Sequence, residues 1–165
     1  MSEAPLAFQG IDEAALAAMA GALAPQLAQG GVVHLCGSLG AGKTTFARAL
    51  LRALGVGERI KSPTYTLIET YVLGELSVHH LDLYRIAAAD ELEWLGLRDL
   101  AAGRQLWLIE WPERGAGMLP PADLKVFLEH AGTARNLLFE AASEQAKAWL
   151  RNARFSQSGS YRTAG

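Results

Sequence analysis

Gly37-Ser38-Leu39-Gly40-Ala41-Gly42-Lys43-Thr44 follows an apolar run, Val32 to Cys36, and opens a stretch from Lys43 to Leu54 in which Phe46, Leu50 and Leu54 recur at helical spacing. Strand, glycine loop, helix is the order that decides the fold. Glycines at 37, 40 and 42 let the main chain wrap an anion with its N–H groups unobstructed, and the following helix aims its positive dipole end at the same point. Lys43 then reaches β- and γ-phosphates as a point charge, and the Thr44 hydroxyl becomes a ligand for a Mg²⁺ ion bridging them. A glycine-rich turn matching by accident would lack the flanking strand and helix, so the stretch implies a nucleoside triphosphate site.

The chain has 165 residues, half of them hydrophobic, enough for one core and too few for two. A single domain over residues 1–155 is expected, with the polar tail from Ser156 to Gly165 mobile. A net charge of −2 leaves no bulk positive field of the kind that marks a stand-alone nucleic-acid binder, so any RNA contact is local or shared. Cys36 is the sole cysteine, which excludes intrachain disulfides and multi-thiolate metal sites and suits packing as a small hydrophobe. Met1 to Gly10 lacks a basic start and a long apolar core, and no run approaches the roughly 18 apolar residues of a membrane span. The expected location is the cytoplasm, with no membrane partner.

Helix and strand signals alternate along the chain. Leu16, Met19, Leu23 and Leu27 share one face of a helix that Asp12 caps and Pro25 should end or bend. Gly55 is a natural stop for the helix after the loop. Tyr65 to Val72 and Leu76 to Asp82, separated by Leu73-Gly74-Glu75, suit an antiparallel hairpin. Ala88 to Leu100 reads as a helix, Leu106 to Ile109 as a buried strand, Leu124 to Phe127 and Leu137 to Phe139 as later strands, and Ser143 as the cap of a last helix. The fold class is α/β: a P-loop NTPase-like three-layer αβα sandwich with a mixed central sheet.

A hydrolysing phosphate site also needs acids. Leu106-Trp107-Leu108-Ile109-Glu110 sets a carboxylate directly after a buried strand, where such proteins hold Mg²⁺ or polarise the attacking water; the competing reading is a solvated glutamate at a strand end. In His80-Leu81-Asp82-Leu83-Tyr84-Arg85, strand alternation puts His80, Asp82 and Tyr84 on one face and Leu81, Leu83 and Arg85 on the other. Asp82 is placed to orient water or to bind Mg²⁺ through water, and Arg85 to stabilise transferring charge or meet an anionic partner, against a bland alternative of a buried His–Asp pair and a surface arginine. Ser62-Pro63-Thr64-Tyr65 is by itself a plain turn, yet its hydroxyls fall where this fold class senses a γ-phosphate, which makes Thr64 a candidate.

Taken in order, G-S-L-G-A-G-K-T-T, S-P-T-Y-T, H-x-D-x-Y-R and I-E-W-P resemble the TsaE (YjeE) family of small bacterial P-loop ATPases over roughly Leu6 to Phe139. The resemblance implies ATP and Mg²⁺ as cofactors, and a role in threonylcarbamoyladenosine formation beside the tRNA anticodon with the partner proteins TsaD and TsaB. Contact with tRNA is left direct or through those partners, and ATP hydrolysis resets the partner complex. The resemblance further implies that the loop Gly37 to Thr45, Ser38, Leu39 and Ala41 included, wraps the nucleotide, that Thr44 and Glu110 bind Mg²⁺, and that Asp82, Glu110 and Lys43 form the hydrolytic centre. Trp111 accompanies Glu110, and Arg135 lies on the nucleotide side. Ser38 departs from the family's usual acidic residue, and the extension from Phe155 falls outside the match. A nucleotide-gated binding module with incidental hydrolysis is the alternative; a small-molecule kinase would need an arginine-rich lid, for which Arg98 to Arg104 is a poor candidate, reading as a solvated helix end.

Overall fold

Strand β1 (Leu6–Ile11) leads into helix α1 (Glu13–Leu27), strand β2 (Gly31–Gly37) and helix α2 (Lys43–Leu54). The hairpin β3 (Ile68–Leu73) and β4 (Leu76–Asp82) follows, then β5 (Arg104–Glu110), the hairpin β6 (Leu124–Ala131) and β7 (Ala134–Ala141), helix α3 (Glu144–Asn152) and a short β8 (Tyr161–Thr163). This computed structural model describes residues 4–96, 103–155 and 161–163. The eight strands form one sheet in the order β3-β4-β5-β2-β6-β7-β1-β8. The pairs among β4, β5, β2 and β6 are parallel, and the outer pairs are antiparallel. The α/β class and the mixed sheet are as expected.

The parallel strands are apolar on both faces because both are covered. Leu106 and Leu108 of β5 enter a cluster that joins α1, α2 and α3 to one face of the sheet. Trp107 and Ile109 point the other way, into a second cluster with Leu81, Leu83, Ile86 and Leu92. Among the described residues, that second face is covered by 3-10 turns at Ala89–Leu95 and Pro112–Gly115 instead of α-helices. The predicted helix from Ala88 to Leu100 is therefore a 3-10 segment as far as Leu95, and residues 97–102 lie outside the described residues. Arg104, expected at a helix end, is the first residue of β5, 4.0 Å from Glu75.

Other differences have local causes. Asp12 caps α1 as expected, its Oδ1 accepting from the Ala15 N–H at 2.7 Å. Pro25 does not end the helix, because it sits in the last turn and removes only the bond to the Gly21 carbonyl, while Leu23, Ala24 and Leu27 stay buried. Tyr65 to Leu67 are a turn and not strand: Leu67 has φ of 65°, and its N–H donates to the Pro63 carbonyl at 2.8 Å. The hairpin expected at Gly74 is present. In the C-terminal stretch read as a mobile tail, Tyr161–Thr163 pair with β1; residues 156–160 and 164–165 lie outside the described residues. Among the described residues no helix is long and apolar enough to cross a membrane.

Candidate functional site

Strands β2, β4 and β5 run parallel, so Gly37, Asp82 and Glu110 arrive at the same edge of the sheet, the carboxyl end where open α/β sheets bind ligands. Asp82 and Glu110 are register partners across β4 and β5. In front of them lies a cavity of about 340 Å³. Leu39, Gly40, Gly42, Lys43, Thr44 and Thr45 line it from the loop and the start of α2; Thr64 and Arg135 line it from the sides. Asp82, Tyr84, Arg85, Glu110 and Trp111 complete it. Of the predicted residues, Gly37, Ser38 and Ala41 shape the loop without lining the cavity, and His80 is fully buried against Glu110.

Gly42, with φ of 109°, precedes the first turn of α2 and brings no side-chain cap, so no side chain at that position occupies the helix's first N–H groups. A Cβ at Gly42 would meet the Arg135 guanidinium at 2.7 Å, so the arginine occupies space that the glycine leaves open beside the loop. Arg135 Nη1 is buried there without a hydrogen-bond partner. A buried guanidinium N–H beside a helix N-terminus calls for an acceptor, the kind of partner an anionic oxygen would be.

Lys43 is only 4% exposed, and its Nζ donates to the carbonyls of Gly37 at 2.6 Å and Ser38 at 2.8 Å. The same ammonium lies 4.0 Å over the Trp111 ring. Burial holds its pKa below the ordinary lysine value, opposed by the charges of Glu110, Glu113 and Asp82. Thr44 Oγ1 donates to Glu110 Oε1 at 2.7 Å. On the other side of the same carboxylate, His80 Nε2 lies 2.6 Å from Oε2. The competing reading of Glu110 as a solvated strand end does not hold, since it is 2% exposed.

Asp82 is bound to the Ser62–Leu67 turn through the main chain: its N–H donates to the Leu67 carbonyl at 3.0 Å, and its Oδ1 accepts from the Tyr84 N–H at 3.1 Å. Burial pushes its carboxyl above the usual range, the Tyr84 N–H works against that shift and the Glu110 charge adds to it. With the folded pKa above the unfolded one, the folded state holds more protons between the two values. Ionised Asp82 therefore lowers stability as pH rises through its folded pKa. Asp82→Asn, which removes the charge and keeps an acceptor for Tyr84, is expected to raise the melting temperature at neutral pH, by roughly 2–4 °C for each kcal/mol regained in a chain of this size. Scanning calorimetry in neutral and acidic buffer checks this: the gain shrinks in acid, and a gain independent of pH would contradict the cause given.

Alternation does not continue past the end of β4, so the expectation that Arg85 faces away from Tyr84 is wrong; both line the cavity, and Arg85 stacks 4.5 Å from the Tyr65 ring. Trp111 has a left-handed backbone, φ 56° and ψ 50°, which a non-glycine residue adopts at some cost and which aims its ring at Lys43 and Tyr84. Arg114, missed in the sequence, stacks 5.1 Å from Tyr84 and 5.6 Å from Trp111. Its signal was the spacing from Trp111 within one 3-10 turn, invisible while that turn read as a loop. Cys36 is half-buried outside the cavity, and burial pushes its thiol up to about 11, which disfavours the thiolate form.

A strand, a glycine loop and a helix N-terminus facing two acids at the carboxyl edge of a mixed sheet define an α/β protein of the P-loop class. Residues 11–137 match the family described as threonylcarbamoyl adenosine biosynthesis protein TsaE, and the chain belongs to that family. It is 46% identical over 106 residues to the tRNA threonylcarbamoyladenosine biosynthesis protein TsaE of Haemophilus influenzae, covering 64% of this chain and 67% of the relative. With the protein of the same name from Bacillus subtilis it shares 38% identity over 117 residues, 70% of this chain and 73% of the relative. The crystal structure of YdiB from Bacillus subtilis superposes with a TM-score of 0.69 at 27% identity, covering 92% of this chain and 94% of that one.

Proposed function

We propose that the chain is a Mg²⁺-dependent, ATP-binding and ATP-hydrolysing subunit that works in the cytoplasm with TsaD and TsaB to form threonylcarbamoyladenosine in tRNA. The relatives' names support the pathway, and the site geometry supports the chemistry. One observation carries the second part: Thr44 Oγ1 and Glu110 Oε1 lie 2.7 Å apart beside the N-terminus of α2. Adjacent oxygens of an octahedron with bonds of about 2.0–2.1 Å are separated by roughly 3 Å, so this pair fits two neighbouring Mg²⁺ ligands with little movement. Bound there, Mg²⁺ would neutralise phosphate charge and fix the geometry of the β- and γ-oxygens.

The chain's own residues supply the rest. Lys43 exchanges the Gly37 and Ser38 carbonyls for phosphate oxygens, and the free N–H groups of the loop and α2 receive the remaining charge. Arg135 gives its unpartnered Nη1 to the nucleotide. Asp82, whose raised pKa matches it to a proton-accepting role, orients the attacking water. Thr64 senses the γ-phosphate and, through the Leu67–Asp82 main-chain bond, ties that turn to the acid. Arg85 and Arg114 stand at the aromatic rim, where a partner can press either onto developing charge.

Phosphate release measured with and without TsaD and TsaB tests the reading. The expected result is slow turnover alone and a rise of about 10-fold or more when partners complete the site. No stimulation, together with a rate unchanged in Lys43→Ala, would refute it.

A further inference from the structure

We propose that His80 is a positioning residue that makes Glu110 a one-oxygen metal ligand, and so sets the preference of the site for Mg²⁺. The proposal rests on the reading of Thr44 and Glu110 as Mg²⁺ ligands given above.

His80 is fully buried and 2.6 Å from Glu110 Oε2, while Oε1 of the same carboxylate takes the Thr44 hydroxyl. A carboxylate that accepts on both oxygens requires a donor at each, which assigns the imidazole its Nε2–H tautomer. The burial pattern supports the assignment. His80 Nδ1 has no partner, and an orphaned lone pair there costs less than the opposite tautomer, which would combine an orphaned N–H at Nδ1 with a lone pair facing a carboxylate oxygen. β4 delivers this ring because His80 shares the α2 side of the sheet with Asp82, and its register partner in β5 is Leu108, two residues before Glu110.

The consequence concerns coordination. With Oε2 held by His80, only Oε1 is offered to a cation beside Thr44. Mg²⁺ accepts single carboxylate oxygens in a strict octahedron, whereas Ca²⁺ readily takes both oxygens of one carboxylate in a larger shell. Removing the imidazole donor frees Oε2, lets the carboxylate rotate, and relaxes both affinity and choice of metal.

The test compares His80→Leu with His80→Gln, whose amide N–H can reach Glu110 in place of the ring. Calorimetric ADP titrations at graded Mg²⁺ or Ca²⁺, and with chelator alone, read metal and nucleotide separately. In His80→Leu the Mg²⁺ concentration at half-effect is expected to rise about 10–100-fold and the preference for Mg²⁺ over Ca²⁺ to narrow, with metal-free ADP affinity unchanged; His80→Gln restores most of the loss. An unchanged Mg²⁺ requirement in His80→Leu, or a parallel fall in metal-free binding, would overturn the proposal. Nitrogen NMR of the nucleotide-free wild-type chain, which needs no variant to fold, must show the Nε2–H tautomer for His80; the Nδ1–H tautomer would overturn it as well. A wild-type chain whose ADP binding ignores Mg²⁺ would instead strike down the metal reading itself, a distinguishable failure.

Discussion

Replacing Lys43 with alanine is expected to lower ATP affinity by about 100-fold or more, since each charge-assisted hydrogen bond to phosphate contributes roughly 1.5–3 kcal/mol and at least two are lost. The side chain is almost fully buried and already aimed along the loop, so little ordering is needed when a nucleotide arrives. The sign of its pH dependence follows from its lowered pKa in the free protein. Phosphate binds the ammonium form, so affinity is full below that pKa and falls as the pH rises through it, earlier than for an ordinary lysine. Calorimetric titration of wild type and Lys43→Ala across alkaline pH checks both statements; a variant that binds as tightly as wild type would remove the lysine from the site.

Glu110→Gln is expected to cut hydrolysis by about 10²–10³-fold and to abolish the response to Mg²⁺, while metal-free ADP still binds. The substitution keeps volume and loses the negative charge beside Thr44 to which the proposed Mg²⁺ would bind. It also sets an amide N–H₂ or a neutral carbonyl where His80 now donates to a carboxylate, so the buried contact at 2.6 Å is weakened or inverted. Steady-state phosphate release at varied Mg²⁺ measures the effect. Wild-type Mg²⁺ dependence in Glu110→Gln would mean that the acid acts elsewhere in the cycle.

The glycine loop between β2 and α2 was legible because its residues are contiguous: glycines, lysine and threonine at fixed spacing need no tertiary knowledge, and the flanking strand and helix are continuous in sequence. Glu110 was legible for a similar reason, a carboxylate at the end of an apolar strand. What escaped depended on distant partners or on single backbone angles. β1 reads weakly from Leu6 to Ile11 because its pairing partner, β7, is far along the chain and the register shifts between Phe8 and Ile11. Positive φ at Leu67 delayed to Ile68 a strand that the residue types favoured from Tyr65, and positive φ at Trp111 precedes the 3-10 turn that carries Arg114 to the rim. Period-2 logic assigned Arg85 to the wrong side because β4 stops at Asp82. The layer over the second face was expected, but not its form: Ala88 to Leu100 has helix-favouring residues, yet Ala89–Leu95 packs as a 3-10 turn around Leu92 against Leu83 and Ile109.

The most direct measurement is calorimetric titration of ATP into the purified chain with Mg²⁺ and with chelator. Saturable binding that Mg²⁺ strengthens, weakened about 100-fold or more in Lys43→Ala and made indifferent to Mg²⁺ in Glu110→Gln, is the result predicted. Absence of a binding heat, or binding that neither the metal nor these two substitutions alters, would contradict the account.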